Sequence, residues 1–193
     1  MRSDMELIGE MPNQRGLTHS AAAQTAVADG SAFEEVFYEY YPRVFAVLYR
    51  MLGDRAPAEE LASDTFVKFS RQPPGSFDNV GGWLYRTATR LGIDSLRSAH
   101  RRSRYEREAA SEYLGAPADP LDDLLRQERC RQVRATLARL KPVQAQILML
   151  RYSGFSYKEL AETLRIRVNS VGRVLMRAEA AFEKAHRRTM KES

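Results

Sequence analysis

The sequence predicts an all-α protein of two small helical domains joined by an acidic, flexible linker, and three observations carry that expectation. Apolar residues recur at helical spacing over most of the chain from Phe33 onward. Prolines and glycines gather in a few short stretches that separate those periodic runs. The run AASEYLGAPADP from Ala109 to Pro120, small-residued and acidic, divides the helices into two groups. The expected organisation is a flexible leader over 1–30, a first domain over 31–107, a linker over 108–120 and a second domain over 121–193.

The leader mixes Gly9, Pro12, Asn13 and Gly16 without sustained periodicity. Order is expected to begin at Ser31, which with Glu34 forms a capping box ahead of Phe33, Val36, Phe37, Tyr40, Tyr41, Val44, Phe45, Leu48 and Leu52. Pro42 removes an amide donor inside this pattern, so a kink or short break is expected near Tyr41, and Gly53 ends the segment. A second helix opens at Pro57 and runs to about Arg71. It turns Leu61, Ala62, Phe66 and Phe69 to one side and Glu59, Glu60, Ser63 and Asp64 to the other, with Val67 among the acids. An apolar residue ringed by carboxylates is either an ordinary exposed residue or a docking spot for a basic partner.

The stretch QPPGSFDNVGG, residues 72–82, reads as a loop leading into a third helix from Gly82 to Arg107. At 100° per residue, Arg86, Arg90, Arg97, Arg101 and Arg104 fall within an arc of roughly 60°, opposite Leu84, Ala88, Leu91 and Ser95. Trp83 and Tyr105 lie near the arginines, and Asp94 is placed to pair with Arg90 and Arg97. On these residues alone the face is either solvated or built for nucleic acid, with rings that stack on unpaired bases.

After the linker a helix is expected over Leu121–Leu140, another from Pro142 through Leu150, and a short one opened by the capping box Ser156–Glu159. The turn RIRVN separates it from a last helix from Ser170 onward. Such a pair matches a helix-turn-helix, the second member of which enters the major groove. Val171, Val174, Leu175, Ala178 and Phe182 form its inner face, and Ser170, Arg173, Met176 and Arg177 its outer one.

Composition narrows the function classes. Basic residues exceed acidic ones by 30 − 25 = 5, and the excess is concentrated in residues 83–107, whereas Glu108 to Leu125 carries acids alone. Concentrated charge of one sign points to a polyanionic partner. The single cysteine, Cys130, cannot form an internal disulfide and has no metal-ligand neighbours, which fits a cytoplasmic protein. No apolar run is long enough to span a bilayer, so no membrane partner is expected. No phosphate loop, nucleophile motif or metal-ligand spacing is present, and His19, His100 and His186 lie in the leader or in basic stretches. Neither an enzyme nor a cofactor or metal is expected.

The runs YYPRVFAVLYRMLGD, AEELASDTFVKF and WLYRTATRLGIDSLR in the first domain, and LKPVQAQILMLRYSGFSYKELAETL in the second, together resemble the extracytoplasmic-function (ECF) subfamily of sigma-70 type RNA polymerase sigma factors. The resemblance covers roughly Phe33 to His186. It implies that the two domains are sigma regions 2 and 4, and that the chain binds core RNA polymerase and directs promoter recognition and melting. Glu60, Asp64 and Val67 would then grip the polymerase. The loop before Trp83, with Trp83, Arg86, Arg90, Arg97, Arg101 and Arg104, would hold the single-stranded minus-10 element. Ser170, Arg173 and Arg177 would read the duplex minus-35 element. An anti-sigma factor is a further candidate partner, and the linker acids stand either for phosphate mimicry in polymerase channels or for simple solubility.

Three departures from the family pattern stand out. Arg165 occupies a turn position that is usually glycine and often requires φ > 0. Gly172, Val174 and Met176 replace basic or polar residues of the last helix, which thins its DNA face, and Arg90 stands where asparagine is common. Two other readings stay open: a sigma-like mimic that binds an anti-sigma factor without reading promoters, and a free-standing helix-turn-helix regulator.

Overall fold

The computed structural model describes residues 30–71, 74, 79–109 and 121–192. The predicted leader up to residue 29 and linker residues 110–120 lie outside the described residues, as does most of the loop over 72–78. Seven helices and no strand are found among the described residues: α1 (Gly30–Leu52), α2 (Arg55–Arg71), α3 (Val80–Ala109), α4 (Leu121–Arg139), α5 (Pro142–Tyr152), α6 (Tyr157–Leu164) and α7 (Val168–Glu192).

Helix α1 runs through Pro42 without the expected break. Proline at this position deprives the carbonyl of Tyr38 of its partner, and Tyr38 lies on the solvent side, 76% exposed, where water can satisfy that oxygen. On the opposite side Tyr40, Val44, Val47, Leu48 and Met51 are buried and hold the helix to its neighbours. Helix α2 contributes Ala58, Ala62, Phe66 and Phe69. Phe33, Phe37, Tyr41, Phe66 and Phe69 form a ring cluster with centroid separations of 4.7–6.5 Å, within the range of favourable edge and offset contacts.

Helix α3 starts two residues earlier than Gly82. The Asn79 side chain accepts from the Gly82 amide at 2.6 Å and its carbonyl accepts from Trp83 at 3.1 Å, which caps the helix ahead of Val80. Gly92 then allows α1 and α3 to cross closely, since a Cβ there would meet Met51 Cε at 2.9 Å.

In the second group α5 lies at the centre. Residues Ala145 to Leu150 are buried without interruption, because α3, α6 and α7 surround the helix. Helix α6 is capped as expected: the Glu159 amide donates to Ser156 Oγ at 3.3 Å and the Ser156 amide to Glu159 Oε2 at 2.7 Å. Its other end is Arg165, in the left-handed region at φ 54, ψ 46. The last helix begins at Val168, two residues before Ser170, and buries Val171, Leu175, Ala178 and Phe182.

The two groups pack against each other. Helix α3 touches α1 and α2 on one side and α4, α5 and α6 on the other, and one continuous buried cluster runs from Tyr40 and Leu48 through Leu84 and Ile93 to Leu148 and Phe182. At about 1.5–3 kcal/mol for each large side chain removed from water, such a cluster is the principal stabilising contribution.

Candidate nucleic-acid interface

The arginine arc of α3 does not face solvent as a unit. Ile93, about 20° beyond the Arg86 edge of that arc, is 1% exposed, because α4, α5 and α6 cover this side of the helix. Arg90 and Arg101, toward one edge of the arc, are exposed, whereas Arg86 and Arg97 are half-buried. Arg104 lies within α3, but its side chain falls outside the described residues.

Arg86 and Arg97 are engaged by backbone oxygens of the second group. Arg86 donates to the carbonyl of Thr163 at 3.2 Å, and Arg97 donates from Nε to Ala138 at 3.3 Å and from a terminal nitrogen to Leu140 at 2.8 Å. Arg97 is thus committed to these carbonyls, where the sequence suggested an ion pair with Asp94. A third arginine does the same from α1: Arg50 donates to the carbonyl of Tyr152 at 3.3 Å. The four acceptor carbonyls lie at or just past the C-termini of three helices, α6, α4 and α5, where carbonyls lack intrahelical partners and the helix dipole attracts cations. Burial lowers the pKa of Arg50; burial and then the nearby Arg165 charge lower that of Arg86.

The contact is reciprocal. Gln146 of α5, 6% exposed, donates to the carbonyl of Arg86 at 3.1 Å and to Thr89 Oγ1 at 3.0 Å. Arg134 of α4 reaches the end of α1, where a Cβ on Gly53 (φ 70) would run into its guanidinium. Phe155, between α5 and α6, meets Tyr85 edge-on at 4.8 Å. Sequence reasoning missed Arg50, Arg134 and Gln146. For Gln146 a signal existed, a lone amide within the apolar run AQILML; Arg50 resembles any cation in the last turn of a helix.

Trp83 is half-buried, with its ring 5.8 Å from that of Phe69, so it extends the aromatic cluster of the first group. On α2, Glu60, Asp64 and Val67 share one exposed face, with Val67 43% exposed, and α2 packs on α1 and α3. On α7, Arg173, Met176 and Arg177 are exposed and Ser170 is half-buried in the first turn. Val174 is half-buried and packs toward the core, so of the three unusual residues Gly172 and Met176 remain on the outer face. The predicted site residues therefore form three separate surfaces, of which those on α2 and α7 are open and that on α3 is partly covered.

Family models described as "Sigma-70 region 2" and "Sigma-70, region 4" match residues 36–102 and 130–182. The chain is 31% identical over 149 residues to the ECF RNA polymerase sigma factor SigE of Mycolicibacterium smegmatis, covering 72% of this chain and 56% of that protein. It is 30% identical over 146 residues to the ECF RNA polymerase sigma factor SigK of Mycolicibacterium vanbaalenii, covering 73% and 74%. To the ECF RNA polymerase sigma factor SigW of Bacillus subtilis it is 28% identical over 173 residues, covering 83% and 92%. The chain thus spans little more than half of the first relative's length and about three quarters of the second's. Among solved structures it is similar to the sigma factor RpoE in complex with the anti-sigma factor NepR from Bartonella quintana, with a TM-score of 0.43 and 20% identity over 79% of this chain and 95% of that one.

Proposed function

The chain belongs to the ECF subfamily of sigma-70 type RNA polymerase sigma factors, and from that premise we propose that it binds core RNA polymerase and directs promoter recognition and melting. The observation that carries this reading is the placement of three chemically distinct surfaces within the two matched regions. The acidic face of α2 and the cationic face of α3 lie in the first, and the outer face of the N-terminal half of α7 lies in the second.

In this reading residues 31–107 and 121–193 are the two working domains, with 108–120 as their tether. Glu60, Asp64 and Val67 dock on the polymerase. Trp83 and Arg86, Arg90, Arg97, Arg101 and Arg104 hold the melted strand of the minus-10 element, and Ser170, Arg173 and Arg177 read the duplex minus-35 element. Opening duplex DNA costs about 1–2 kcal/mol per base-pair step. Phosphate contacts and stacking, at about 1–3 kcal/mol per stacked base, offset part of that cost. Melting is then driven by binding energy, and the chain works as a non-catalytic factor in the cytoplasm, where its polymerase is. No described helix is long and apolar enough to cross a membrane.

Reconstitution tests the proposal. Purified protein with core polymerase is expected to initiate transcription from a cognate promoter drawn from a genomic library. Asp64→Lys should reduce core binding, and the pair Arg90→Ala with Arg101→Ala should impair open-complex formation while core binding persists. Equal loss of both activities in the arginine variant would mean that the face is structural.

A second reading, a mimic that occupies an anti-sigma factor without reading promoters, is favoured by the exposure of Gly172 and Met176 on the outer face of α7. Tight core binding with no initiation on any template would select it.

A further inference from the structure

The packing of α7 gives no reason for glycine at position 172. Gly172 lies inside the helix and does not have a positive φ. Outside its own helix backbone, a Cβ there would meet nothing among the described residues closer than Tyr157 Cε2, at 3.8 Å, which is an ordinary contact. Gly92 is the contrast, since a Cβ at that position would press on Met51. A glycine within a helix weakens it relative to alanine, so Gly172 lowers stability with no gain in packing. What it does provide is bare backbone on the outer face of α7, where a ligand can come close.

The surface around Gly172 is apolar. Val168, Gly172 and Met176 follow one another at four-residue spacing, which sets them in one row about 12 Å long on α7. Val168 and Met176 are both exposed, Met176 to 62%. From α6 the exposed ring of Tyr157 lies against the middle of the row. Arg151 sits over that ring, 5.5 Å from its centroid, while it donates to the carbonyl of Phe155 at 3.0 Å. Arg173 and Arg177, both exposed, border the row along α7.

We propose that this row reads thymine: the 5-methyl groups of duplex DNA settle against Gly172 and Met176, and these two residues set which minus-35 sequences the chain accepts. The assignment rests on the reading of α7 as the helix that enters the major groove. In that groove thymine alone presents a methyl group, and apolar side chains distinguish it. Bare backbone at Gly172 lets the helix approach the base edges closely. The flexible thioether of Met176 fits itself to a methyl on either strand. Arg173 and Arg177 supply the hydrogen bonds alongside. At about 3.4 Å per base pair, a row of about 12 Å spans three to four pairs, so the thymines fall within that many consecutive pairs. An apolar row bordered by arginines suits a groove walled by phosphate, which offers methyl groups and negative charge together.

Uracil tests the assignment, because it keeps every hydrogen-bonding group of thymine and lacks only the methyl. The full-length chain with core polymerase selects duplexes from a randomised pool, and the enriched upstream element is then made once with thymine and once with uracil. Wild type, Met176→Ala, Met176→Leu and Gly172→Ala are each titrated against both. The wild type should bind the uracil element about fourfold more weakly for each contacted methyl, the factor that burial of one methyl group is worth. Met176→Ala should lose most of that discrimination, and Met176→Leu, apolar and of similar length, should keep it. Gly172→Ala should weaken binding of the thymine element although its melting temperature rises by about 2–4 °C, which separates the loss from any damage to the fold.

Thymine and uracil elements bound alike by the wild type overturn the proposal and leave the DNA reading of α7 standing. A preference for thymine that Met176→Ala and Gly172→Ala both retain in full overturns it too, since the methyl is then read elsewhere. A holoenzyme that assembles and enriches no upstream element overturns the DNA reading of α7 and the thymine assignment together, and gives the row to a protein partner.

Discussion

Arg165 holds a left-handed backbone conformation at φ 54, and it sits near the half-buried Arg86 charge. A side chain with a Cβ is disfavoured there by about 1 kcal/mol, and glycine removes that cost along with the like-charge repulsion. Arg165→Gly should therefore raise stability by about 1 kcal/mol, less what the more flexible unfolded chain gives back, as read from the denaturant midpoint. This residue was legible in advance, because the turn between two helices demands a positive φ whatever stands there. Tyr40 and Tyr85 set the alkaline limit. Burial first, and then the Glu39 charge for Tyr40, push the pKa of each from 10.0 to about 12, with Arg43 acting the other way. The native state then keeps protons that the unfolded chain gives up. Stability is full below pH 10 and falls as pH rises toward about 12. A tyrosinate absorbance titration alongside urea midpoints checks this, with two late-titrating phenols expected. What could not be read residue by residue is the fate of Arg86 and Arg97. Their place on a helix is local information, whereas the carbonyls they meet lie 77 and 41–43 positions away in the chain.

At the level of elements, periodicity located every helix among the described residues and misjudged some of their ends. Asn79 advances the start of α3 because its side chain folds back onto the Gly82 amide, a cap concealed within a glycine-rich loop. Pro42 fails to break α1 because its cost falls on the solvent side while packing holds the other. The capping box of α6 is the counterexample, where two short polar side chains marked the boundary correctly. That helix has eight residues, too few to be stable alone, and both its ends are fixed by specific bonds. Ser156→Ala should cost about 1 kcal/mol and loosen the helix-turn-helix, seen as faster amide exchange in α6. The arginine helix shows the limit of two-faced patterns. Its apolar residues identified the side that meets α1 and α2, and nothing in the pattern announced that α4, α5 and α6 would cover much of the other.

Across the whole molecule, the sequence distinguished two groups of helices, and the packing joins them through a shared buried cluster. Loss of one half then removes the cover of the other, so the protein is expected to unfold in a single step. The chain has one tryptophan, Trp83, in the first group. Its fluorescence and the overall helical circular dichroism should be lost at the same denaturant concentration in the wild type, and at different concentrations in Arg50→Ala. Coincident transitions in both proteins would mean that the buried cluster alone couples the halves.

The edge contact between Phe155 and Tyr85 has a consequence for the lifetime of the chain. Separation uncovers Phe155, Ile93 and their neighbours as apolar surface, which proteases and aggregating partners recognise. While cleavage is slower than reclosure, degradation follows the open population. A closed chain is thereby sheltered from turnover, and one that opens without a partner to cover it is exposed to destruction.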